Sequence, residues 1–458
     1  MNISKKRKVS SFDMYAFLIL IAFEIMMSFT FLGYIHIPPI SITFAYIPIL
    51  MTACILGTVQ STVMGAIFGL ASMYKATAFY ILTEDMMFSP FFSGNPFGSF
   101  VLAVVTRTVF GFLMGIVFKY AKAGKHPTVW MGFISLLAPL IHGFIVVAAV
   151  KVFFPNNVYS YFHSKYLMLG NAISAVICIG IVEILWKIYN QKELKSVKAA
   201  IDRASRIPYM NFGRKHIFVA VFATFVFGMT IAAAIYFSDR MSYMLGVHNV
   251  FVSAAIKGDL VHLQIQFMLA VFSLNIICIA VLNLGYRYAT YKNFLGELDA
   301  VTGVMGRRLF LNCCERAGRK SLCDEGWFLF FDIDYFKTVN DTFGHTAGDG
   351  VLKEIALILK SMFYDCGIIG RIGGDEFAVM VDKKILREDE IKKMLDEFLI
   401  KAAGVMPEIH KVSCSIGAYR FVFPSDILSL MSKTDTLLYK AKENGRACYV
   451  LGSCDEDI

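Results

Sequence analysis

Long apolar segments follow one another along the first part of the chain, and a segment of mixed polarity follows them. The apolar segments lie near residues 14–35, 43–57, 60–75, 100–121, 129–153, 165–188, 216–238 and 263–286. A helix needs about 20 apolar residues to cross a bilayer, and several of these segments reach that length. The short second and third segments are tolerated where neighbouring helices bury their ends. The pattern therefore predicts about eight membrane-spanning helices.

Lysine and arginine predict how these helices are oriented. Basic residues cluster at Lys5–Lys8, in the 119–126 loop and in the 187–215 segment, whereas the 76–99 and 154–164 loops are poor in them. Cytoplasmic loops carry the excess of Lys and Arg in membrane proteins. We therefore expect a lipid-embedded, multi-pass protein of the cell (inner or cytoplasmic) membrane with both termini in the cytoplasm. The first segment is too long for a cleaved signal peptide.

The chain after residue 288 has the alternating pattern of a water-exposed domain. Short apolar runs predict strands at 327–331, 368–371, 377–381 and 411–418, and helical periodicity appears at 351–363, 387–404 and 425–443. Strands that alternate with helices predict an α/β fold with functional groups at strand ends and turns. The fold class is thus an α-helical polytopic membrane domain followed by a cytoplasmic α/β domain.

Composition agrees with this division and excludes some partners. Of 458 residues 57% are hydrophobic and only 17% are charged, and the net charge is +9. Much of the basic excess flanks apolar segments, so it indicates membrane topology and not a nucleic-acid partner. Ten cysteines occur without CxxC or Cys/His spacing, and Cys313 and Cys314 are adjacent. This usage predicts reduced thiols in a reducing compartment.

The strongest chemical signal is the sequence Arg371-Ile-Gly-Gly-Asp-Glu-Phe377. Two adjacent glycines allow a sharp turn and a close approach of backbone to phosphate. Asp375 and Glu376 follow, and Asp332 ends a predicted apolar strand upstream. Carboxylate oxygens are the ligands that Mg²⁺ prefers. A glycine turn beside such carboxylates predicts a nucleotide site.

Four ordered motifs over residues 298–452 resemble the GGDEF family of diguanylate cyclases. They are the segments 299–308 (DAVTGVMGRR), 332–349 (DIDYFKTVNDTFGHTAGD), 373–377 (GGDEF) and 434–446 (TDTLLYKAKENGR). The resemblance implies a nucleotidyl-cyclase-like fold with a central, mostly antiparallel sheet. It also implies condensation of two GTP molecules into cyclic di-GMP with release of two pyrophosphates. Each domain would hold one GTP, so the resemblance implies a homodimer.

The resemblance also assigns roles to residues of this chain. Mg²⁺ (or Mn²⁺) would be held by Asp332, the Ile333 carbonyl and Asp375, with Glu376 on a second metal or in support. Either Asp375 or Glu376 would help to deprotonate the 3′-hydroxyl, and the sequence does not separate these roles. The remaining substrate-binding residues are Asn340 and Asp349 for guanine, Lys337, Lys442 and Arg446 for phosphates, and Gly373 and Gly374 in the turn.

This sequence departs from the family pattern at four positions. Tyr364 and Gly367 replace the Arg and Asp of the family's product-inhibition site, so inhibition by that route is not expected. Gly306 and Ala447 stand where the family commonly has Asn, and both positions are expected to be structural.

Residues 12–190 resemble the substrate-binding S component of energy-coupling-factor vitamin transporters. The resemblance rests on the Pro-Ile-Ser-Ile-Thr-Phe-Ala-Tyr-Ile-Pro stretch at 39–48, on the glycine-rich third segment, and on Asn95-Pro96 with Thr106-Arg107. It implies a small water-soluble, vitamin-like ligand. The alternative is an anonymous helical anchor with packing prolines and glycines. Other polar residues in the apolar segments are expected to make interhelical contacts: Glu24, His142, Asn171 and Glu183.

These patterns predict four regions. They are a six-span sensor-like domain (1–190), a cytoplasmic linker with the last two spans (191–287, spans 216–238 and 263–286), a signalling helix (288–299) and the GGDEF domain (300–458). In the signalling helix, Tyr288, Tyr291, Leu295 and Leu298 have a/d spacing and would pair two subunits. We expect a membrane-bound diguanylate cyclase controlled from its membrane half. The alternatives are an inactive nucleotide receptor and a membrane half that retains vitamin transport.

Overall fold

The computed structural model describes most of the chain and contains two compact units. The described residues are 10–37, 40–78, 85–155, 165–204, 213–248, 250, 253–319, 325–381, 387–405, 412–423 and 425–453. The first unit comprises residues 1–206 and 212–289, and the second comprises 207–211 and 290–458. Lys5–Lys8 and parts of the loops used to predict orientation lie outside the described residues.

The first unit is almost entirely helical in its described part. Its elements are α1 (Ser11–Ser28), β1 (Tyr34–Ile37), β2 (Ile40–Thr43), α2 (Ile47–Ile55), α3 (Thr58–Lys75), α4 (Pro96–Phe100), a π-helical turn (Val101–Val105), α5 (Thr106–Ala123), α6 (Pro127–Phe153), α7 (Lys165–Asn190), α8 (Lys192–Ala204), α9 (Gly213–Val247) and α10, which continues to residue 296 (Ala254–Gly296). The β1–β2 hairpin was not predicted. It pairs Tyr34 with Thr43 between the first two predicted spans.

Six helices in the described part are long and apolar enough to cross a membrane. They are Ser11–Ser28, Pro96–Ala123, Pro127–Phe153, Asn171–Asn190, Val221–Val247 and Ala254–Gly296. The second predicted span corresponds to α2, which has only nine residues. The third corresponds to α3, which is not among the six. The count of eight spans therefore stays a prediction.

Two glycines of the glycine-rich third segment, Gly65 and Gly69, allow α3 to pack closely against a neighbouring helix. A side chain at Gly65 would collide with the Arg107 carbonyl, and one at Gly69 would lie 2.6 Å from the Val104 Cα. Gly57 has a different role, since its φ of +126° is a conformation that glycine adopts easily. A glycine seam thus lets α3 pack against the helix that carries Arg107.

The Asn95-Pro96 motif begins a helix and joins two helix ends. The Asn95 side chain accepts a hydrogen bond from the Gly98 N–H at 2.9 Å, and Pro96 occupies the first turn of α4. Asn is a favoured N-cap residue and Pro a favoured first-turn residue. The Asn95 amide also donates to the Phe153 carbonyl at the end of α6 (3.2 Å). In this structure the motif is a cap.

The second unit is an α/β domain. Its elements are β3 (Met305–Gly306), α11 (Arg307–Arg319), β4 (Glu325–Ile333), α12 (Phe336–Phe343), α13 (His345–Phe363), β5 (Gly367–Arg371), β6 (Glu376–Val381), α14 (Glu388–Ala403), β7 (Cys414–Val422), α15 (Ile427–Glu443) and β8 (Tyr449–Ser453). The sheet has the order β3-β5-β6-β4-β7-β8. The three central pairs are antiparallel and the two outer pairs are parallel. A mixed sheet with an antiparallel centre agrees with the predicted fold class.

Helices cover both faces of this sheet. Alternating residues of β4 point to opposite faces, as the period of a strand requires. Trp327, Leu329 and Phe331 pack with residues of α13 and α14, whereas Phe328 packs with residues of α11 and α15. Burial on both faces explains why β4 reads as an uninterrupted apolar run. Its polar end at Asp332 is therefore fixed in position by the core.

No cysteine in the described part of the chain forms a disulfide, and Cys313 and Cys314 are buried in the core of the second unit.

Candidate active site

Two neighbouring strands bring the predicted carboxylates together. β4 and β6 are antiparallel and register Asp332 opposite Glu376. The Ile333 N–H lies 3.4 Å from the Asp375 carbonyl oxygen, so the backbone before Glu376 remains beside the end of β4. Ile333 itself pairs with Cys414 of β7. The site therefore lies at one end of the central strands, between the end of β4 and the start of β6.

The glycine turn connects β5 to β6. The N–H groups of Ile372 and Gly373 approach the Glu376 carbonyl oxygen at 2.8 and 3.4 Å and close the turn. Neither glycine has a positive φ. A side chain at Gly373 would instead collide with the Glu376 carboxylate, whereas a side chain at Gly374 would meet nothing within 4 Å. Position 373 thus requires glycine because a side chain there would meet the Glu376 carboxylate. The space beside Gly374 is open.

Arg371 fixes the far side of this turn. Its guanidinium donates from Nη2 to the Gly374 carbonyl at 2.5 Å and from Nε at 3.2 Å. Its Nη1 also pairs with Asp299 at 3.0 Å. Asp299 in turn accepts from the Thr302 N–H (2.8 Å) and hydroxyl (2.7 Å). Burial opposes ionisation, but the hydrogen bonds from Thr302 and Arg371 hold the pKa of Asp299 below its ordinary value.

Asp332 is buried and has one cationic partner. Its side-chain Oδ2 lies 2.9 Å from Lys442 Nζ. Burial raises the pKa of Asp332 above its ordinary value; the Lys442 ammonium opposes this rise, and the Asp375 and Asp334 carboxylates add to it. The site therefore gathers more negative charge than its lysine neutralises.

Glu376 shares this electrostatic environment. Partial burial, with the nearby Asp332 and Asp375 carboxylates, raises the pKa of Glu376 above its ordinary value. Lys442 again acts in the opposite direction, and Asp435 contributes a further negative charge. Since like charges at short range disfavour ionisation, an added cation would relieve both Asp332 and Glu376.

Asp334 is a structural carboxylate beside the site. Its oxygens accept hydrogen bonds from the Ser413 and Ser415 hydroxyls, each at 2.7 Å, and from the Ala447 N–H at 3.1 Å. These bonds tie the end of β4 to β7 and to the segment after α15. The same segment carries Arg446, so Asp334 helps to position a predicted phosphate ligand.

Arg446 lies over the ring of Tyr335 at 4.7 Å and donates to its hydroxyl at 3.2 Å. Arg446 and Ala447 have φ values of +65° and +51°. Asn tolerates this left-handed conformation better than most residues do. The conformation of Ala447 thus gives a physical reason why the family commonly has Asn at this position. It is consistent with the structural role predicted for the position.

The predicted guanine readers lie on two consecutive helices. Asn340 is on α12, and Asp349 is exposed on α13. A side chain at Gly348 would collide with the Asn340 amide, so this glycine lets the two helices approach beside both residues. Lys337 is exposed in the first turn of α12. In the described part of the chain it makes no ion pair with the carboxylates.

Residues 297–448 match the family model described as "Diguanylate cyclase, GGDEF domain". The second unit carries a GGDEF domain. The family predicted from the four motifs is thereby confirmed, whereas the resemblance of residues 12–190 to a transporter component stays a prediction.

Curated relatives resemble this chain over its GGDEF domain. Diguanylate cyclase DgcS of Shewanella oneidensis is 34% identical over 157 residues, which are 33% of this chain and 52% of that protein. Probable diguanylate cyclase DgcI of Escherichia coli is 39% identical over 162 residues, or 35% of this chain and 34% of that protein. The chain thus spans about half or less of the length of these relatives.

A solved structure also matches the same region. The GGDEF domain of DgcB from Caulobacter crescentus, crystallised in complex with c-di-GMP, is 22% identical and has a TM-score of 0.31. The match covers 34% of this chain and 93% of that chain.

The donor groups of the GGDEF domain fit a divalent cation bound together with phosphate. In the described part of the chain, no three His, Cys, Asp or Glu side chains already form a metal-ligand cluster. Mg²⁺ commonly takes only one or two carboxylates and completes its shell with water and substrate phosphates. Burial and the nearby carboxylates oppose the ionisation of Asp332, and Asp375 and Glu376 lie beside it. This excess negative charge suits a cation.

Sequence reasoning missed the residues that hold the site in shape. Arg371 lies within the signature and Asp299 within the opening motif, but neither was assigned a role. The spacing of Asp299 and Thr302 was a usable signal, because Asp commonly bonds to backbone and side chains a few residues onward. The Asp334 bonds to Ser413 and Ser415 gave no such signal, since they join segments far apart in sequence.

Proposed function

We propose that this protein is a membrane-bound diguanylate cyclase that condenses two GTP molecules into cyclic di-GMP and two pyrophosphates. The observation that carries the proposal is the placement of Asp332 opposite Glu376, beside Asp375, within a matched GGDEF domain. The names of the relatives DgcS and DgcI support the same activity.

Asp332, Asp375 and the Ile333 carbonyl would hold Mg²⁺ or Mn²⁺, with Glu376 on a second ion or in support. A bound divalent cation would neutralise charge on the phosphates during an in-line displacement. Lys442 pairs with Asp332 at 2.9 Å and so stands where phosphate oxygens would also meet it. Its ammonium would then serve both the carboxylate and the substrate.

The remaining substrate contacts would divide by chemistry. Asn340 presents an amide and Asp349 a carboxylate, which suit the donor and acceptor edge of guanine. Lys337, Lys442 and Arg446 would make charge-assisted contacts to the β- and γ-phosphates. Gly373 and Gly374 would let these phosphates approach the turn, over which the space at Gly374 is open.

The reaction needs two such domains. Each GTP would present its 3′-hydroxyl to the α-phosphorus of the other GTP. A new O3′–P bond forms as the bond from that phosphorus to pyrophosphate breaks, and the proton passes to a carboxylate. Asp375 and Glu376 are the two candidates for this acceptor. A homodimer would therefore be the active form, and its geometry is available for control.

Control would come from the membrane part. α10 is one uninterrupted helix from Ala254 to Gly296, and the opening motif of the GGDEF domain begins three residues later at Asp299. A signal received by the membrane part would change how two copies of this helix pair. The absence of Arg and Asp at positions 364 and 367 removes the family's usual route of product inhibition.

Full-length protein in detergent, supplied with GTP and Mg²⁺, tests the proposal. We expect cyclic di-GMP and pyrophosphate to form in a 1:2 ratio, measured by liquid chromatography and a coupled pyrophosphate assay. Asp375→Asn should lose the activity. Asp389→Asn, which changes an exposed carboxylate on α14 in the same way, should retain it.

Binding of GTP without any cyclic di-GMP, over a wide range of protein concentration, would contradict the proposal. That result would favour an inactive nucleotide receptor instead.

A further inference from the structure

Three ionisable side chains lie inside the first unit on three different helices. Glu24 of α1 is completely buried and Arg107 of α5 is 6% exposed, while His142 of α6 has a shielded Nε2. The ion pairs of the described residues do not include one between Glu24 and Arg107. Ionisable groups at membrane depth usually pair with one another or serve a function.

Within the described part of the chain, each of these side chains leaves a polar atom without a partner. Glu24 accepts from the Ser28 hydroxyl at 3.0 Å with Oε1, while its Oε2 has no hydrogen bond. The hydrogen bond that Glu24 makes lies within α1, so it does not supply the interhelical contact expected for this residue. Arg107 Nε, His142 Nε2 and the Oγ of the buried Ser135 also lack a partner. Burial of a polar atom without a hydrogen bond destabilises the fold, so several such atoms together are unusual unless something else satisfies them.

The backbone around Arg107 is itself irregular. Residues 101–105 form a π-helical turn directly before α5. Arg107 Nη1 donates to the Leu102 and Ala103 carbonyls at 2.9 and 3.0 Å, within this turn. These bonds hold part of the guanidinium in place and leave Nε free to bind something else. Single π-helical turns inside α-helices occur frequently at functional sites.

Aromatic rings lie beside Arg107 and His142 and connect these two side chains through Phe68. The Arg107 guanidinium lies 5.0 Å from the ring of Phe68, and the His142 ring lies 6.1 Å from the same ring. His142 also stacks on Tyr46 at 5.5 Å and meets Phe110 edge-on at 5.2 Å. Small-molecule sites typically combine such rings with a few convergent polar groups.

We propose that Glu24, Arg107, Ser135 and His142 form a binding site for a small amphoteric molecule with a flat ring. Such a molecule carries an acceptor that binds the Arg107 Nε–H and a donor that binds Glu24 Oε2, and its ring packs on the aromatic cluster that Phe68, Tyr46, Phe110 and His142 form. A metal ion does not suit the site because the guanidinium would repel it. A purely apolar molecule would leave all four polar atoms unsatisfied.

The inference names a ligand class for the signal on which the proposed function depends. It requires no cyclase activity, since binding involves residues of the first unit alone. Binding is therefore measured without GTP, and catalysis is measured separately. If the binding experiment fails, the catalytic experiment can still be interpreted, and the converse also holds.

The test uses full-length protein in lipid nanodiscs and a defined set of probes. Amphoteric ring compounds (L-tryptophan, L-histidine, L-phenylalanine and pyridoxamine) are compared with benzoate, benzylamine and toluene, which offer an acceptor, a donor and a ring alone. We expect at least one amphoteric probe to raise the thermal unfolding midpoint, whereas the three partial probes do not.

Glu24→Gln provides the decisive comparison, because it keeps the shape of the side chain and an acceptor for Ser28. It should weaken the Kd of the active probe several-fold, as expected when the oxygen that accepts from the probe is replaced by an amide group. Glu193→Gln, at an exposed position on α8, is the matched control and should bind as the wild type does. Arg107→Lys should weaken binding as well, with Arg240→Lys on α9 as its control.

Two results would overturn the inference. One is the absence of any midpoint change with the four amphoteric probes. The other is an unchanged Kd in both Glu24→Gln and Arg107→Lys, provided that each variant elutes as folded protein by size exclusion. In either case the unpartnered atoms would be satisfied by water alone.

Discussion

At the scale of single residues, the site places charge where the folded protein does not favour it. Asp332 is buried at the end of β4, and the pKa of its carboxyl is raised despite the Lys442 ammonium 2.9 Å away. An acid with a raised folded-state pKa destabilises the fold above its unfolded-state pKa, and the penalty develops as the pH rises between the two values. Active sites commonly carry such a cost.

Asp332→Asn should therefore raise stability while it removes activity. Without metal or GTP at neutral pH, the second unit of the variant should unfold at a temperature no lower than wild type, measured by differential scanning calorimetry. Cyclase activity should fall roughly 100-fold or more, since even groups that only support metal ligands change activity 10–100-fold. A variant that is both less stable and fully active would refute the electrostatic account.

The pKa of Asp299 is lowered, whereas that of Asp332 is raised, so substitution of Asp299 should decrease stability. Its pKa is depressed, so its ionised form stabilises the fold above the unfolded-state pKa, and this contribution is lost as the pH falls through the folded-state pKa. Asp299→Asn should lose about 1 kcal/mol of stability at pH 7. The difference from wild type should shrink towards zero in acid, as followed by urea unfolding at a series of pH values.

The same variant should also lower activity, because Asp299 positions Arg371 and Arg371 holds the Gly374 carbonyl. Asp389→Asn, at an exposed position on α14, serves as the control for a change of charge. Equal loss of stability at every pH would show that the Asp299 ionisation is not what stabilises the turn.

At the scale of elements, the close contact of α3 with α5 depends on the absence of side chains. Gly65→Ala places a Cβ against the Arg107 carbonyl, so the helices must separate. Gly180→Ala on α7 meets nothing within 4 Å and replaces glycine by a better helix former. We expect Gly65→Ala to lower the thermal midpoint of the detergent-solubilised protein and Gly180→Ala to leave it unchanged or raise it. A thermal midpoint that is lower for Gly180→Ala than for Gly65→Ala would contradict the close packing of α3 against α5.

The elements also show which sequence signals were reliable. The apolar periodicity of the second unit predicted four strands and three helices, and each has a counterpart in the structure, although the strand predicted at 411–418 is observed at Cys414–Val422. Four further elements in the described part of this unit were not predicted: β3, α11, α12 and β8. The start of α13 was placed too late in the sequence. It begins at His345, directly after Gly344, whose φ of +85° ends α12. A break between two consecutive helices leaves no mark in hydrophobic periodicity.

At the scale of the whole molecule, the proposed reaction would require two GGDEF domains. If two chains must face each other, specific activity should depend on how many copies share one bilayer. Nanodiscs that contain two copies should be active, whereas nanodiscs with one copy should be nearly inactive at low nanodisc concentration. The comparison is made by chromatographic measurement of cyclic di-GMP per mole of protein. Equal activity in both preparations would exclude the dimer as the active form.

The sequence by itself determined the α/β character of the second unit, its family and the carboxylates at its strand ends. These features follow from local periodicity and from motifs whose residues are close in the chain, so they can be predicted without knowledge of the fold. The apolar segments likewise predicted long helices in the first unit, because hydrophobic length is a local property.

Only the tertiary structure decided which distant groups meet. The Lys442 pair with Asp332, the Arg371 brace to Asp299 and the Asp334 bonds to Ser413 and Ser415 each join segments that sequence spacing does not relate. The same is true of Glu24, Arg107 and His142, which look like isolated polar residues in three apolar segments. Whether a polar side chain is satisfied depends on what packs against it, and that is settled only when the helices assemble.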